Sequence, residues 1–450
     1  MSETLFEAIE SEPHLNELKM NLYKCMKLND YVLAALKLGF AIAALILEAI
    51  LNDAGKAEDE YDYFCPICGA RLNSKGLKSR TIDSLIGQLT WRRRVLRCPK
   101  HCEIGQIAPL DEKLDIKPYQ RYSLELIKMA CLLAVFIPYD ISSKILNQLT
   151  GVSICANTIW NWVQNIGREI MEKVHEDVNR LESGIIPEAE KIDPIISELP
   201  MVIGADGVFV PFRPEKNTPK GKTVWFEVKI GIIARIAKRI NSKGKEVSYI
   251  ARKRLVAILG DINIFKPQLM LLSIKEGIKT AKQIAWISDG GKGFWGVHKD
   301  LFSKTAQGIL DFYHASQNIW KAAKGWLDGR TSEAKNWFNK ARKKLKAGKA
   351  TEIIDELRTE VKENETLSDK TSEEMERVSS YLEQHVGHMD YNCYKKSGLP
   401  IGSGLVESAC KWLIQQRFKG VGMRWSFEGF NNLLYLRLAW VNENYDDVFG

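Results

Sequence analysis

The feature that most constrains the fold is a short apolar run that ends in an acid and breaks at once into glycines. Residues 281–295 read Ala-Lys-Gln-Ile-Ala-Trp-Ile-Ser-Asp-Gly-Gly-Lys-Gly-Phe-Trp, and Asp289 stands where the apolar run stops. A continuous apolar run is typical of a strand that is covered on both faces. Glycines allow the backbone to approach a ligand closely. The stretch therefore predicts a buried strand with a carboxylate at its C-terminal end.

A second run of the same form lies upstream. Met201-Val-Ile-Gly-Ala leads directly into Asp206 and Gly207. Open α/β sheets bind ligands beyond their strand ends, so two such strands predict a mixed α/β sheet with an acidic edge. Asp-Gly is also a common turn dipeptide, and each acid alone fits that alternative equally well.

A third acid supports the metal-binding interpretation. Glu407 follows the glycine-broken segment Ile401-Gly-Ser-Gly, in a stretch where apolar residues recur at helical spacing. Asp206, Asp289 and Glu407 together supply hard oxygen ligands, which suit two Mg²⁺ (or Mn²⁺) ions acting on a phosphodiester. We therefore expect these three acids to converge at one edge of the sheet.

Two close cysteine pairs predict one structural Zn²⁺ site. Cys65-Pro-Ile-Cys68-Gly is followed about thirty residues later by Cys98-Pro-Lys-His-Cys102, and either His101 or Cys102 can be the fourth ligand. The segment between the pairs alternates like a hairpin and is rich in arginine. Arginines neutralise DNA phosphates, although a solvated basic face on a protein-binding ribbon is the alternative. The expected DNA contacts here are Arg92, Arg93, Arg94 and Arg97.

The next segment has the pattern of a helix-turn-helix. Residues 141–150 and 156–167 are helical in periodicity, with Gly151-Val-Ser153 between them. The second helix of such a pair can enter a DNA major groove, but short paired helices also occur in any α domain. The side chains expected to face DNA are Asn157, Thr158, Asn161 and Gln164.

Charge, cysteine usage and the N-terminal segment bear on partners and compartment. The net charge of +8 is clustered along the chain, which favours a polyanionic partner. Nine cysteines in 450 residues fit metal ligands and buried thiols, and thus a reducing cytoplasm, better than a disulfide framework. Residues 32–51 are strongly apolar, but Lys37 and Glu48 interrupt them, so we expect a buried helix and no membrane contact.

The ordered motifs resemble the DDE transposases of bacterial insertion sequences, most closely the Kra group (ISKra type), which is similar to the Mutator-like transposases. The resemblance is carried by the two cysteine pairs and by four further motifs across residues 60–440. These are Ile203-Gly-Ala-Asp-Gly207, Trp286-Ile-Ser-Asp-Gly-Gly-Lys292, Asp311-Phe-Tyr-His314 and Gly402-Ser-Gly-Leu-Val-Glu-Ser408.

The resemblance implies a multidomain α/β protein with a ribonuclease-H-like mixed-sheet catalytic core. The core would comprise residues 195–314 and 396–445, with a helical insertion at 315–395. A zinc ribbon (61–110) and a helix-turn-helix domain (111–185) would precede it. The N-terminal helical segment (1–60) is predicted from periodicity alone and lies outside the resemblance. Asp206, Asp289 and Glu407 would be the catalytic acids, and His314 would position a strand or assist proton transfer, or be purely structural.

The same resemblance implies double-stranded DNA as the partner, namely the terminal inverted repeats of an element and its target. Synapsis of two ends predicts at least a homodimer on DNA, and the compartment would be the bacterial cytoplasm, at the nucleoid. Further expected DNA contacts are Lys292, Trp295, Lys411, Arg417 and Arg424. The alternatives are a nuclease or resolvase without strand transfer, and a DNA-binding regulator whose acids are vestigial.

Overall fold

The computed structural model describes residues 12–57, 62–214 and 222–449. The chain divides into two compact units, residues 1–163 and residues 164–448. The first contains a three-stranded sheet and the second a five-stranded sheet. The predicted division into five domains stays a prediction. The prediction of a mixed α/β chain with a mixed sheet is confirmed.

Two helices begin the first unit: α1 (Pro13–Tyr23) and α2 (Leu28–Ala57). Within the described ranges, α2 is the one helix that is long and apolar enough to cross a membrane, and only 6% of its most apolar window is buried. The prediction of a buried helix here is wrong. One flank of α2, from Ala44 to Ala54, packs on the hairpin that follows, whereas Val32 and Leu36 remain exposed.

The hairpin consists of β1 (Asn73–Ser84) and β2 (Gly87–Arg97), which pair antiparallel, as the sequence predicts. The short strand β3 (Gln106–Ile107) extends the sheet, and α3 (Pro109–Lys113) follows. Helix α2 lies along the part of β2 that β3 does not pair with, where Asn52 Oδ1 accepts a hydrogen bond from the Arg92 amide at 2.9 Å. Side chains of α2 thus satisfy strand amides that have no ladder partner.

Three helices follow: α4 (Leu124–Phe136), α5 (Tyr139–Thr150) and α6 (Ala156–Glu182). Helix α5 ends at Gly151, whose φ of 76° is the left-handed conformation that glycine adopts without strain. The two helices predicted as a pair are therefore present. The division between the two units falls within α6.

The second unit begins with α7 (Pro194–Ser197) and then forms its sheet. The strands are β4 (Met201–Phe212), β5 (Val224–Ile240), β6 (Glu246–Leu259), β7 (Ile284–Ser288) and β8 (Gln307–Leu310), with α8 (Ile262–Lys275) and α9 (Lys292–Val297) on either side of β7 along the chain. The spatial order is β6-β5-β4-β7-β8. Strands β4, β5 and β6 are antiparallel neighbours, whereas β7 and β8 run parallel to β4.

Residues 312–396 contain helices only: α10 (Phe312–Leu327), α11 (Ser332–Lys346), α12 (Ala350–Glu363), α13 (Asp369–Gln384) and α14 (Tyr391–Lys396), with a single 3₁₀ turn before α14. Their apolar faces share one core with the sheet, since Ile353 and Val378 belong to the same buried cluster as Val202 and Ile309. The predicted helical character of this segment is thus present.

The last helices are α15 (Gly404–Ala409), which continues through a π-helical segment (Cys410–Gln415) to Phe418, and α16 (Phe427–Val441). Helix α15 packs directly on β4, because a Cβ atom at Gly204 would overlap Val406. The glycine in the middle of a buried strand therefore serves close helix–strand approach.

Candidate active site and metal centre

Asp206 and Asp289 lie on neighbouring parallel strands. Asp289 follows β7 immediately, as predicted. The prediction that Asp206 ends its strand is wrong, because β4 continues to Phe212 alongside β5. However, the pairing of β4 with β7 stops at Gly204 and Ile287, so both acids stand just beyond the end of the parallel ladder.

The two carboxylates interact electrostatically. Burial raises the pKa of Asp206 above its usual value, the Gly207 amide opposes this, and the negative charge of Asp289 raises it further. Like charges held together in a low-dielectric site favour protonation of one group, and a bound cation relieves the same repulsion. The pair is therefore suited to a divalent ion.

Helix α15 brings its own groups to Asp206. The Cys410 Sγ atom lies 3.8 Å from Asp206 Oδ2, and burial together with the charges of Asp206 and Glu407 raises the pKa of the thiol. Glu407 itself is 60% exposed, and its Oε1 accepts from Lys411 Nζ at 2.7 Å. Among the described residues, the three acids do not form a group with ligand oxygens within 4.8 Å of one another.

His314 lies near Asp206 at the start of α10. Its charge acts to lower the pKa of Asp206, against the effect of burial. Its Nδ1 atom is buried with no hydrogen-bond partner in the described part of the chain. Asp311 caps α10 by accepting from the His314 amide at 2.8 Å, and its other oxygen accepts from the Ser403 amide at 2.5 Å. Asp311 thus ties the start of α10 to the segment that precedes Glu407.

A ring cluster that sequence reasoning missed supports the Asp289 loop from behind. The Trp295 indole donates to the Asp289 carbonyl at 2.7 Å, and the ring packs 4.4 Å from His388 and 4.9 Å from His385. A Cβ atom at Gly290 would overlap the ring of Tyr381 on α13. Trp295 and His388, like Gly290 and Tyr381, are about ninety positions apart. Sequence periodicity does not reveal such contacts, because it reports only on neighbouring residues.

The predicted DNA contacts fall into exposed and structural groups. Arg417 is 2% exposed and lies under the Trp425 ring, so its side chain presents no free surface. Trp295 is half-buried, and its indole is held by the Asp289 carbonyl. Gln164 was expected to face DNA but is 3% exposed and accepts from Asn432 at 2.9 Å. The exposed candidates are Arg92, Arg97, Asn157, Asn161, Lys292, Lys411 and Arg424, and Thr158 and Arg94 are half-buried.

Arg93 has a structural partner. Its guanidinium donates to both carboxylate oxygens of Asp111 at 3.0 and 3.1 Å and to the carbonyls of Lys78 and Ser79. The Nε–H is shared between the two oxygens, and this charged pair is only 13% exposed, so the side chain is held in place. Arg93 is therefore committed to the hairpin.

The four predicted zinc ligands do come together. Ligand sulfurs of Cys65, Cys68, Cys98 and Cys102 all lie within 4.8 Å of one another, and Cys68 Sγ is 3.6 Å from Cys98 Sγ. Tetrahedral zinc with Zn–S bonds of about 2.3 Å separates its sulfurs by about 3.8 Å, so the donor set fits the metal. The Cys102 amide, above all, lowers the pKa of Cys98 to about 6, which favours the thiolate. Cys102 is in the cluster, and His101 is not.

Comparison with known proteins finds a sequence likeness and a structural likeness. No protein-family model matches the chain. The chain is 24% identical over 375 residues to the UPF0236 protein in vanSb 3′region of Streptococcus gallolyticus, covering 81% of this chain and 73% of that protein. It is also similar to a chain of the Drosophila P element transposase strand transfer complex, with 10% identity, a TM-score of 0.24, and coverage of 75% of this chain and 82% of that one.

Proposed function

We propose that the chain is a DDE-type DNA transposase that cleaves the ends of an insertion sequence and joins them to target DNA. The observation that carries the proposal is the acid pair Asp206 and Asp289 beyond the parallel ladder, with the Glu407 helix packed on the same strand. The strand order β6-β5-β4-β7-β8, with three antiparallel strands followed by two parallel ones, supports a ribonuclease-H-like core. The Kra-group assignment rests on the sequence motifs alone.

In this proposal Asp206 and Asp289 hold divalent metal, and Glu407 completes the ligand set. A rotation of the exposed Glu407 side chain away from Lys411 is required, because its carboxylate is paired with that lysine. Bound Mg²⁺ would activate a water or 3′-hydroxyl and stabilise the leaving oxygen. His314, whose Nδ1 lacks a partner within the described residues, would accept or hold a proton beside Asp206.

The test is cleavage of linear DNA that carries the element ends, with Mg²⁺ present. Asp289→Asn should lower the cleavage rate by at least about 100-fold, since removing one preorganised electrostatic contact typically costs that much. Asp300→Asn is the matched control, because Asp300 is exposed and pairs with Lys266. Full activity of Asp289→Asn would refute the proposed ligand role.

The same assay separates strand transfer from hydrolysis. A transposase should join the cleaved 3′ ends to a second DNA, and both reactions should fall together in Glu407→Gln. Glu376→Gln is the control, since it removes another exposed helical carboxylate, on α13. Cleavage without joined products would favour a nuclease on the same scaffold.

A further inference from the structure

A groove lies on the outer face of α10 and α11. Its volume is about 490 Å³, which falls within the range of about 300–1,000 Å³ for small-molecule pockets. Three aromatic residues line it (Tyr313, Trp320 and Phe338), together with Lys335, Asn339 and Arg342. None of the residues that line it is acidic.

The groove combines stacking surfaces with unneutralised positive charge. Tyr313 is 56% exposed, and Trp320 packs edge-on against Phe338 at 5.1 Å, which fixes both rings. Among the described residues no carboxylate pairs with Lys335 or Arg342, although neighbouring Lys344 pairs with Glu356. Aromatic faces beside an amide and beside cations that have no carboxylate partner in the described part of the chain match the requirements of a nucleotide: base stacking, phosphate charge and an edge that hydrogen-bonds.

The groove adjoins the acid site. Tyr313 lies between Phe312 and His314 in the first turn of α10, two residues after the cap residue Asp311. A Cβ atom at Gly402 would lie 2.6 Å from the Tyr313 ring, so this ring contacts the segment that leads to Glu407. The Arg342 guanidinium lies 5.5 Å from the centre of the Phe312 ring. The groove thus includes a residue from the same first turn of α10 that carries His314.

We propose that this groove binds an unpaired nucleotide of the DNA strand held at the acid site. Tyr313 and Trp320 stack on its base, Asn339 reads the base edge, and Lys335 and Arg342 contact its phosphates. The inference rests on the proposed function, and it specifies the form of the substrate: a DNA end that is locally single-stranded.

The experiment measures binding of a single-stranded deoxythymidylate oligomer that contains one fluorescent adenine analogue, with the full chain and without divalent ions. Lys335→Gln/Arg342→Gln should weaken binding about tenfold, and Tyr313→Leu should abolish the fluorescence quenching that stacking produces. The matched control is Lys340→Gln/Lys343→Gln, which removes two exposed charges from the same helix outside the groove. Thermal unfolding of each variant verifies that it is folded.

Three results would overturn the inference. Equal weakening by both double variants would mean that helix α11 attracts DNA by charge alone. Competition by deoxyadenosine monophosphate as strong as by the oligomer would indicate a small-molecule pocket. Equal quenching with the matched duplex would remove the requirement for an unpaired base. Loss of cleavage in Asp289→Asn is scored separately, so failure of the groove and failure of the proposed function give different results.

Discussion

At the residue scale, Gly290 is the position where the Asp289 loop depends on a distant side chain. A methyl group at this position would overlap the Tyr381 ring. Overpacking a tight site typically costs about 1–3 kcal/mol, so Gly290→Ala should lower the free energy of unfolding by that amount and reduce activity with it. Urea unfolding and the cleavage assay measure the two effects.

Gly293→Ala is the control for this prediction. No atom lies within 4 Å of a Cβ built at Gly293, and the residue is in helix α9. Alanine there should be neutral or stabilise by up to about 1 kcal/mol. In a Tyr381→Leu background the cost of Gly290→Ala should shrink, because the two residues are in contact. An equal cost in both backgrounds would contradict the assigned clash.

The ionisation of Asp206 predicts a pH dependence of stability. Because burial and Asp289 raise its pKa in the folded chain, the folded state binds the proton more tightly than the unfolded state. The stabilisation from protonation is therefore lost as the pH rises through the folded pKa, and ionised Asp206 destabilises the fold at neutral pH. Asp206→Asn should raise the melting temperature at neutral pH in EDTA, and the difference should narrow on acidification.

Asp300→Asn should behave in the opposite way. A hydrogen bond and ion pair with Lys266 lower the pKa of Asp300, so its contribution is present above the unfolded pKa and lost as the pH falls. The side chain is half exposed and solvent screens the ion pair, so the loss of stability at neutral pH should be small. A melting temperature for Asp206→Asn below that of the wild type would contradict the assignment of Asp206.

Residue-level prediction from the sequence succeeds where the signal is local. The cysteine spacings identify all four clustered sulfurs, and the apolar run ending in glycines locates Asp289. It fails for Gln164 and Arg417, whose burial depends on residues far along the chain. A polar side chain on a helix has no local feature that distinguishes a solvent-facing position from one that meets a distant Asn432.

At the element scale, the β1–β2 hairpin separates two kinds of arginine. Arg92 and Arg97 are exposed, whereas Arg93 is held by Asp111. Arg92→Gln/Arg97→Gln should reduce DNA affinity and lower the slope of log affinity against log salt by about 0.9 for each phosphate that is no longer neutralised. Thermal stability should be unchanged. Titration of duplex DNA at several salt concentrations gives the slope.

Arg93→Gln should show the reverse pattern. Removal of one partner from a nearly buried charged hydrogen bond leaves the Asp111 carboxylate without the Arg93 Nε–H donor, so thermal stability should fall. The salt dependence of DNA binding should not change. If Arg93→Gln alters the salt slope as much as the exposed pair does, the division of the hairpin into structural and exposed arginines is wrong.

Element ends and element burial are harder to predict than element type. The hairpin, the paired helices and the sheet strands follow from periodicity. Strand β4 continues past Asp206 because β5 is long enough to pair with it, whereas β7 is short. The sequence around Asp206 does not reveal how long the neighbouring strands are. Helix α2 was expected to be buried because it is apolar, but the hairpin it packs on covers only one flank.

At the scale of the whole molecule, the cysteine cluster belongs to one compact unit and the acids to the other. Each unit has its own buried core, so we expect two unfolding transitions in calorimetry. Removal of zinc with a chelator should lower the midpoint of one transition only, because metal binding stabilises the unit that contains the ligands. One zinc per chain is expected by elemental analysis.

Cys98→Ser should remove the metal and reproduce the effect of the chelator. Cys393→Ser is the control, since Cys393 is an exposed cysteine in the second unit and outside the cluster. A single transition that shifts as a whole on chelation would show that the two units do not unfold independently.

The contact between Tyr381 and Gly290 has a consequence for protein engineering. The helical segment 312–396 could be exchanged between related chains to make chimeric proteins. Yet a chimera that receives foreign helices here also receives a foreign side chain against its own loop after β7. An active chimera will therefore need the helices and the loop after β7 from the same parent protein. An exchange of the helices alone should distort this loop even when every helix folds.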